Sequence, residues 1–221
     1  MQQKIEAFIF DLDGVIVDTA VYHFDSWKQL AALHNFEIPE SLHEDLKGLG
    51  RMESLDKVLV YKNGDTSQKE MVELARVKND MYLDNISHIS EGDTLPGVIE
   101  FLQKAKSAGL KLAVGSGSKN ARPILKRLGI TGMFDAICDG TDITMSKPDP
   151  EIFQCACKAV SVEPSRAIVF EDATSGVEAA KACGTYTVGL GDPEILNKAD
   201  IVLDSLIDVE PNDVIKQLGI K

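Results

Sequence analysis

Residues 7–15 read AFIFDLDGV, an apolar run that ends in two carboxylates, Asp11 and Asp13, one residue apart. Side chains at i and i+2 of a strand point the same way, about 6.5 Å apart along the backbone. Asp is a poor strand residue, and a buried carboxylate is costly unless a cation, a proton or a turn accounts for it. Asp13-Gly14 is itself a turn signal, so the stretch alone leaves both readings open. The decision rests on what stands at the ends of the other strands.

Five further segments are rich in branched apolar residues: KLAV at 111–114, AIC at 136–138, AIVF at 167–170, YTVGL at 186–190 and IVL at 201–203. Helical patterns lie between them. One is opened by Pro96 and closed by Gly109, with Val98, Phe101, Leu102 and Ala105 on one face. Others run from Pro123 to Gly129, from Pro150 through Phe153 and Cys157, and from Val177 to Gly184. This alternation predicts an α/β fold with a doubly wound, Rossmann-like parallel sheet covered on both faces.

Residues 17–93 break the pattern with helical periodicity alone. Tyr22, Trp27, Leu30 and Leu33 mark one helix, and SQKEMVELARVKNDMYLDNI (67–86) marks another, through Met71, Leu74, Met81 and Ile86. The expectation is a catalytic core of residues 1–16 and 94–221, with residues 17–93 inserted as an all-α cap.

The 221 residues are 44% hydrophobic, enough for one good core and a smaller second domain. A formal net charge of −12, with no run of Lys or Arg, argues against a nucleic-acid partner. No stretch approaches eighteen uninterrupted apolar residues, so no membrane span is expected and a cytoplasmic protein is. Cys138, Cys155, Cys157 and Cys183 form no C-x-x-C pair and read as reduced core thiols. His23, His34, His43 and His88 lack metal-ligand spacing.

In open α/β sheets, ligands gather beyond the carboxyl ends of the strands. There the first strand is followed by Asp11 and Asp13, and the second by GSGSKN (115–120), whose small residues can turn amides and hydroxyls toward an anion. After the third comes SKPDP (146–150) with Lys147, and after the fourth EDATSG (171–176) with Glu171 and Asp172. Each is ambiguous alone: a turn, a loop, a solvated lysine, a helix cap. At one edge of one sheet they make a reaction centre, with hard oxygen ligands suited to Mg²⁺ and donors suited to a phosphoryl group.

DLDGV, the serine loop after the second strand, Lys147 before Pro148, and the Glu171-Asp172 pair resemble, in order and across the whole chain, the four signature motifs of the haloacid dehalogenase superfamily of phosphotransferases. The inserted helices resemble its small α-helical cap. Within the superfamily, DTAVYHFDSWKQLA (18–31), LKGLGRMESL (46–55) and ARVKNDMY (75–82) resemble the β-glucose-phosphate mutases.

That resemblance implies a nucleophile, Asp11, that carries the phosphoryl group, and a general acid/base, Asp13. It implies Mg²⁺ held by Asp11, the backbone carbonyl of Asp13, Asp172 and, nearby, Glu171. Ser116, the Gly117 amide and Lys147 would hold the transferring phosphate. Arg51, Ser118, Lys119 and Asn120 would hold the distal one, and Thr19, His23, Lys47, Gly48, Lys78 and Asn79 would serve the sugar phosphate from the cap. The implied activity is a Mg²⁺-dependent mutase interconverting β-D-glucose 1-phosphate and glucose 6-phosphate, with β-glucose 1,6-bisphosphate as activating intermediate. The expected partners are small sugar phosphates, and the expected state is monomeric. A sugar-phosphate phosphatase built on the same core is the rival reading, since the core motifs do not separate the two.

Overall fold

The computed structural model describes residues 4–47 and 49–220. Contacts divide the chain into two compact units, Met1–Asp18 with Ser90–Lys221, and Thr19–Ile89. The helical unit is therefore shorter at both ends than 17–93. Val17 forms backbone bridges to Asp13 and Thr94, and the Leu95 amide donates to the Ile16 carbonyl, which ties both joints into the sheet unit.

Strand β1 (Ala7–Phe10) opens the chain, and the helices α1 (Ala20–Leu33), α2 (Leu42–Leu46), α3 (Arg51–Leu59) and α4 (Gln68–Asn85) follow. The sheet unit resumes with α5 (Val98–Ser107), β2 (Lys111–Gly115), α6 (Ala121–Arg127), β3 (Ala136–Cys138) and α7 (Glu151–Ala159). It ends with β4 (Ala167–Glu171), α8 (Thr174–Cys183), β5 (Tyr186–Leu190), β6 (Ile201–Leu203) and α9 (Pro211–Gln217). All six anticipated strands form. They pair in parallel in the order β3-β2-β1-β4-β5-β6, the doubly wound arrangement expected.

The central strand β1 and the AIVF stretch of β4 are apolar and buried throughout because both faces of the sheet are covered. On β1, Ala7 and Ile9 face a core shared with Phe153, Ala156, Cys157 and Ala180, whereas Phe8 and Phe10 face Phe101 and Phe170. Phe8 stacks on Phe101 at 5.8 Å and Phe10 on Phe170 at 4.7 Å. Central β1 pairs in register with β2 on one side and β4 on the other, Phe10 lying between Val114 and Phe170. The residues that follow each strand therefore emerge side by side where the strand order reverses.

Three helix readings need correction. Helix α8 starts at Thr174, three residues ahead of Val177. Helix α6 starts at Ala121, ahead of Pro123, because the missing amide of a proline is tolerated anywhere in the first turn. Leu33 is exposed, and α1 instead buries Phe24, Trp27, Leu30 and Ala31 against Leu55, Val58, Leu74 and Ala75. Along α4 the fully buried positions are Leu74, Ala75, Lys78 and Tyr82, so a lysine sits on the inner face while Met71 and Met81 are half-buried. All four cysteines are free.

Candidate active site

Asp11 follows β1, and its amide donates to the Phe170 carbonyl at 3.0 Å, which keeps it in the sheet just past the last apolar residue. Glu171 ends β4 beside it, with Asp172 next in the chain. One carboxylate oxygen from each of Asp11, Glu171 and Asp172 lies within 4.8 Å of the others. Three carboxylates this close repel one another, and hard oxygen donors in such a set fit Mg²⁺. Asp13 has only its backbone carbonyl to offer this set by the expected scheme, and its half-buried side chain is not one of the three. Gly14 answers the turn question: its φ is +80°, and a side chain there would collide with the Asp172 carboxylate. The turn and the carboxylate cluster are thus one feature rather than alternatives.

Lys147 is 3% exposed and donates to Asp11 Oδ1 at 2.5 Å and to Glu171 Oε2 at 2.8 Å. Burial disfavours its ammonium, but Asp11 and Glu171 together outweigh burial and hold its pKa above the usual lysine value. Its loop is anchored by Glu151, whose carboxylate accepts from the amides of Thr144 at 2.8 Å and Met145 at 2.7 Å. Burial, with Asp11 adding to it and Lys147 opposing it, pushes Glu171 up to about 7. Asp172 is raised well above the usual range by burial, then by the charges of Glu171 and Asp11.

These directions give a testable pH dependence. Glu171 and Asp172 are raised, so in the metal-free fold they keep protons that a cation must displace. The rise in Tm produced by millimolar Mg²⁺ over chelator should therefore grow from pH 6 to pH 8. Taking the difference cancels His23, which has the opposite sign: its pKa is lowered, so its contribution grows as pH rises. A difference that shrinks or stays flat over that range would remove Glu171 and Asp172 from the cation site.

The phosphate-loop candidates behave differently from one another. Ser116 is fully buried, and its amide donates to the Cys138 carbonyl at 3.1 Å while its hydroxyl accepts from the Ser118 amide at 3.1 Å. Asn120 is buried and its amide donates to Ser118 Oγ at 3.2 Å. Gly117 and Lys119 are exposed.

The helical unit gathers its own cationic cluster. Lys78 Nζ donates to His23 Nδ1 at 2.6 Å and lies over the rings of Trp27 at 4.7 Å and Tyr82 at 5.0 Å. His23 stacks on Tyr82 at 3.8 Å. Burial, then Lys78 and Arg51, lower the His23 pKa well below its ordinary value, which suits an imidazole accepting at Nδ1. Arg51, at the start of α3, donates from Nη2 to Asn79 Oδ1 at 2.7 Å. Thr19 is buried, and its hydroxyl has no hydrogen-bond partner among the described residues. Lys47 pairs with Glu44 at 2.9 Å, an ordinary half-exposed i,i+3 bridge. Gly48 lies outside the described residues.

Sequence reasoning passed over Asp139 and Arg122. Asp139 is a buried carboxylate at the end of β3, paired with Arg122 of α6. Its position, directly after a strand like Asp11 and Asp172, was the available signal.

Residues 5–184 match the haloacid dehalogenase-like hydrolases. The chain is 39% identical over 207 residues to β-phosphoglucomutase of Bacillus subtilis (strain 168), covering 93% of this chain and 92% of that one. The crystal structure of β-phosphoglucomutase from Clostridium difficile superposes with a TM-score of 0.92 at 40% identity, covering 97% of each chain. A phosphorylated carbohydrates phosphatase of Thermotoga maritima is 31% identical over 223 residues, covering 97% of this chain and 98% of that one. No helix among the described residues is long and apolar enough to cross a membrane. On the full-length match, and with the strand-end carboxylates and lysine in place, the chain belongs to the haloacid dehalogenase-like hydrolase family.

Proposed function

We propose that the chain is a Mg²⁺-dependent phosphomutase that interconverts β-D-glucose 1-phosphate and glucose 6-phosphate through β-glucose 1,6-bisphosphate. An Asp11 oxygen attacks phosphorus and carries the phosphoryl group, while Asp13 takes the proton from the accepting sugar hydroxyl and returns it to the leaving one. Lys147, Ser116 and the Gly117 amide hold the phosphoryl oxygens as charge moves during transfer. Asp11, Glu171, Asp172 and the Asp13 carbonyl would hold Mg²⁺, which when bound offsets charge on the phosphoryl oxygens. Arg51, Ser118, Lys119 and Asn120 bind the phosphate that is not reacting, and the remaining cap candidates, Thr19, His23, Lys47, Gly48, Lys78 and Asn79, orient the sugar. The family to which the chain belongs supports the domain roles, a catalytic sheet unit with a helical cap.

The observation that carries a mutase over a phosphatase is the cluster of Arg51, Asn79, Lys78 and His23 on the helical unit. A chain with net charge −12 that gathers cations at a second place is equipped to hold a second phosphate there through Arg51, with Lys78, Asn79 and His23 beside it for the sugar. The 31% identity to a carbohydrate phosphatase keeps hydrolysis as the competing outcome. Incubation with β-glucose 1-phosphate, with and without a catalytic amount of β-glucose 1,6-bisphosphate, separates them. A mutase yields glucose 6-phosphate and depends on the bisphosphate; a phosphatase releases inorganic phosphate at the same rate in both tubes.

Arg51→Ala gives a second discrimination. A mutase must hold the sugar by its unreacting phosphate, then hold it again after the bisphosphate has turned round. Truncating that guanidinium should cost the mutase reaction about 2 kcal/mol or more in kcat/KM. Hydrolysis of an aryl phosphate, which has no second phosphate, should change little. Equal losses in both assays would mean a folding defect, and no loss in either would remove Arg51 from the site.

A further inference from the structure

A loop of serine and glycine has almost no apolar surface with which to hold itself still, yet donors that serve a developing charge work only when they are already in place. In residues 116–118 the stiffness comes from the neighbouring segment 138–142. The Ser116 amide donates to the Cys138 carbonyl at 3.1 Å, and the Gly140 amide donates to the Ser118 carbonyl at 3.2 Å. The two backbones run so close that a side chain at Gly140 would collide with the Gly117 carbonyl.

Segment 138–142 is itself held by a charge network. Asp139 is 2% exposed; its Oδ1 accepts from the Thr141 amide at 2.8 Å and the Thr141 hydroxyl at 2.6 Å, and its Oδ2 pairs with Arg122 Nη1. Arg122 Nη2 donates to the Ile137 carbonyl at 2.7 Å and to Asp142 Oδ2 at 2.8 Å. Asp142 Oδ2 also accepts from the Asp139 amide at 2.9 Å. Arg122 lies in the first turn of α6, the helix that begins where the serine loop ends. One guanidinium therefore ties the exit of β3 to the far end of the loop, using a fork that a lysine cannot reproduce.

We propose that Arg122 and Asp139 are positioning residues that hold the 116–118 loop in the geometry needed for phosphoryl transfer. The inference rests on the proposed role of Ser116 and Gly117 at the transferring phosphate. Neither residue touches the substrate; each acts through the backbone of the loop. Misplacement of such donors by about 1 Å can slow transfer roughly 100-fold while leaving overall binding intact.

The test uses the full chain with Arg122→Lys, whose site is half-exposed and tolerant, and Asp139→Asn, which keeps the shape of a buried group. Both should lower kcat on β-glucose 1-phosphate about 10- to 100-fold with KM within about 3-fold. In both, hydrogen exchange at the Ser116 and Gly140 amides should accelerate at least about 10-fold, while the β4 amides keep their protection. Combined with Ser116→Ala, either variant should cost less than the product of the separate losses. Should Asp139→Asn fail to fold, Arg122→Lys carries the test alone. Unchanged exchange at Ser116 and Gly140, or faster exchange with unchanged kcat, overturns the proposal, as does acceleration spread evenly over β4. A wild-type chain that turns over no phosphate ester would instead sink the functional reading beneath it.

Discussion

Asp11→Asn should lower turnover by several orders of magnitude while leaving a folded protein, and the argument separates chemistry from stability. The amide oxygen that replaces the carboxylate is a poor nucleophile toward phosphorus, so the covalent route closes. Stability should move little in the absence of metal, because two effects oppose. Lys147 loses the charge of one of its two partners, accepting at 2.5 Å in the wild type, but Glu171 and Asp172 lose a like charge that pushes both their pKa values up. The substitution also keeps the side chain's volume in a site that is almost wholly buried. Exposure to a phosphoryl donor should label the wild type at a carboxyl group, acid-stable and base-labile, and should leave Asp11→Asn unlabelled. Ready labelling of the mutant at the same kind of bond would refute the assignment.

Much of the fold was legible because the sheet is buried on both faces, so strands such as AFIF and AIVF carry unbroken apolar runs that no surface element would tolerate. The core site was legible for the same reason: Asp11, Glu171 and Asp172 are the first charges after such runs. Less visible were residues whose role depends on a partner distant in sequence. Lys78 lies in an ordinary charged helix, and only the rings of Trp27 and Tyr82 and the imidazole of His23 explain a lysine on the inner face. Arg122 and Asp139 are separated by the rest of α6 and by β3, and although Asp139 stands directly after a strand, nothing local names Arg122 as its partner. Helix α9 has only Pro211 and Val214 buried, too few for a periodic pattern to register.

Lys147→Ala should destabilise the metal-free protein by about 3 to 5 kcal/mol at pH 8, the usual result of removing one partner from a buried charge pair. The reason lies in what remains. Asp11 and Glu171, each within 2.8 Å of the ammonium, become adjacent buried carboxylates with no cation between them. Protonation is the available escape, and it fixes the sign of the pH dependence. Glu171 already stands at about 7 with Lys147 pulling it down, so removal of the lysine raises it further. A carboxyl whose folded pKa is raised favours the folded state most at low pH and loses that advantage as pH rises through the raised value. The penalty of the mutation should therefore be small at pH 5.5 and grow toward pH 8.5. Millimolar Mg²⁺ should restore much of the lost stability without restoring turnover, since a divalent ion can neutralise the carboxylates but cannot donate to the transferring phosphate from the lysine's position. Lys147→Met separates charge from packing, because it keeps a stem against Phe153, whose ring lies 5.0 Å from the ammonium. Urea denaturation of both variants at the two pH values, with and without Mg²⁺, checks each step. A loss that is the same at pH 5.5 and 8.5 and disappears in Lys147→Met would mean that the stem, not the charge, stabilises the site, and that Lys147 does not hold Asp11 and Glu171 together.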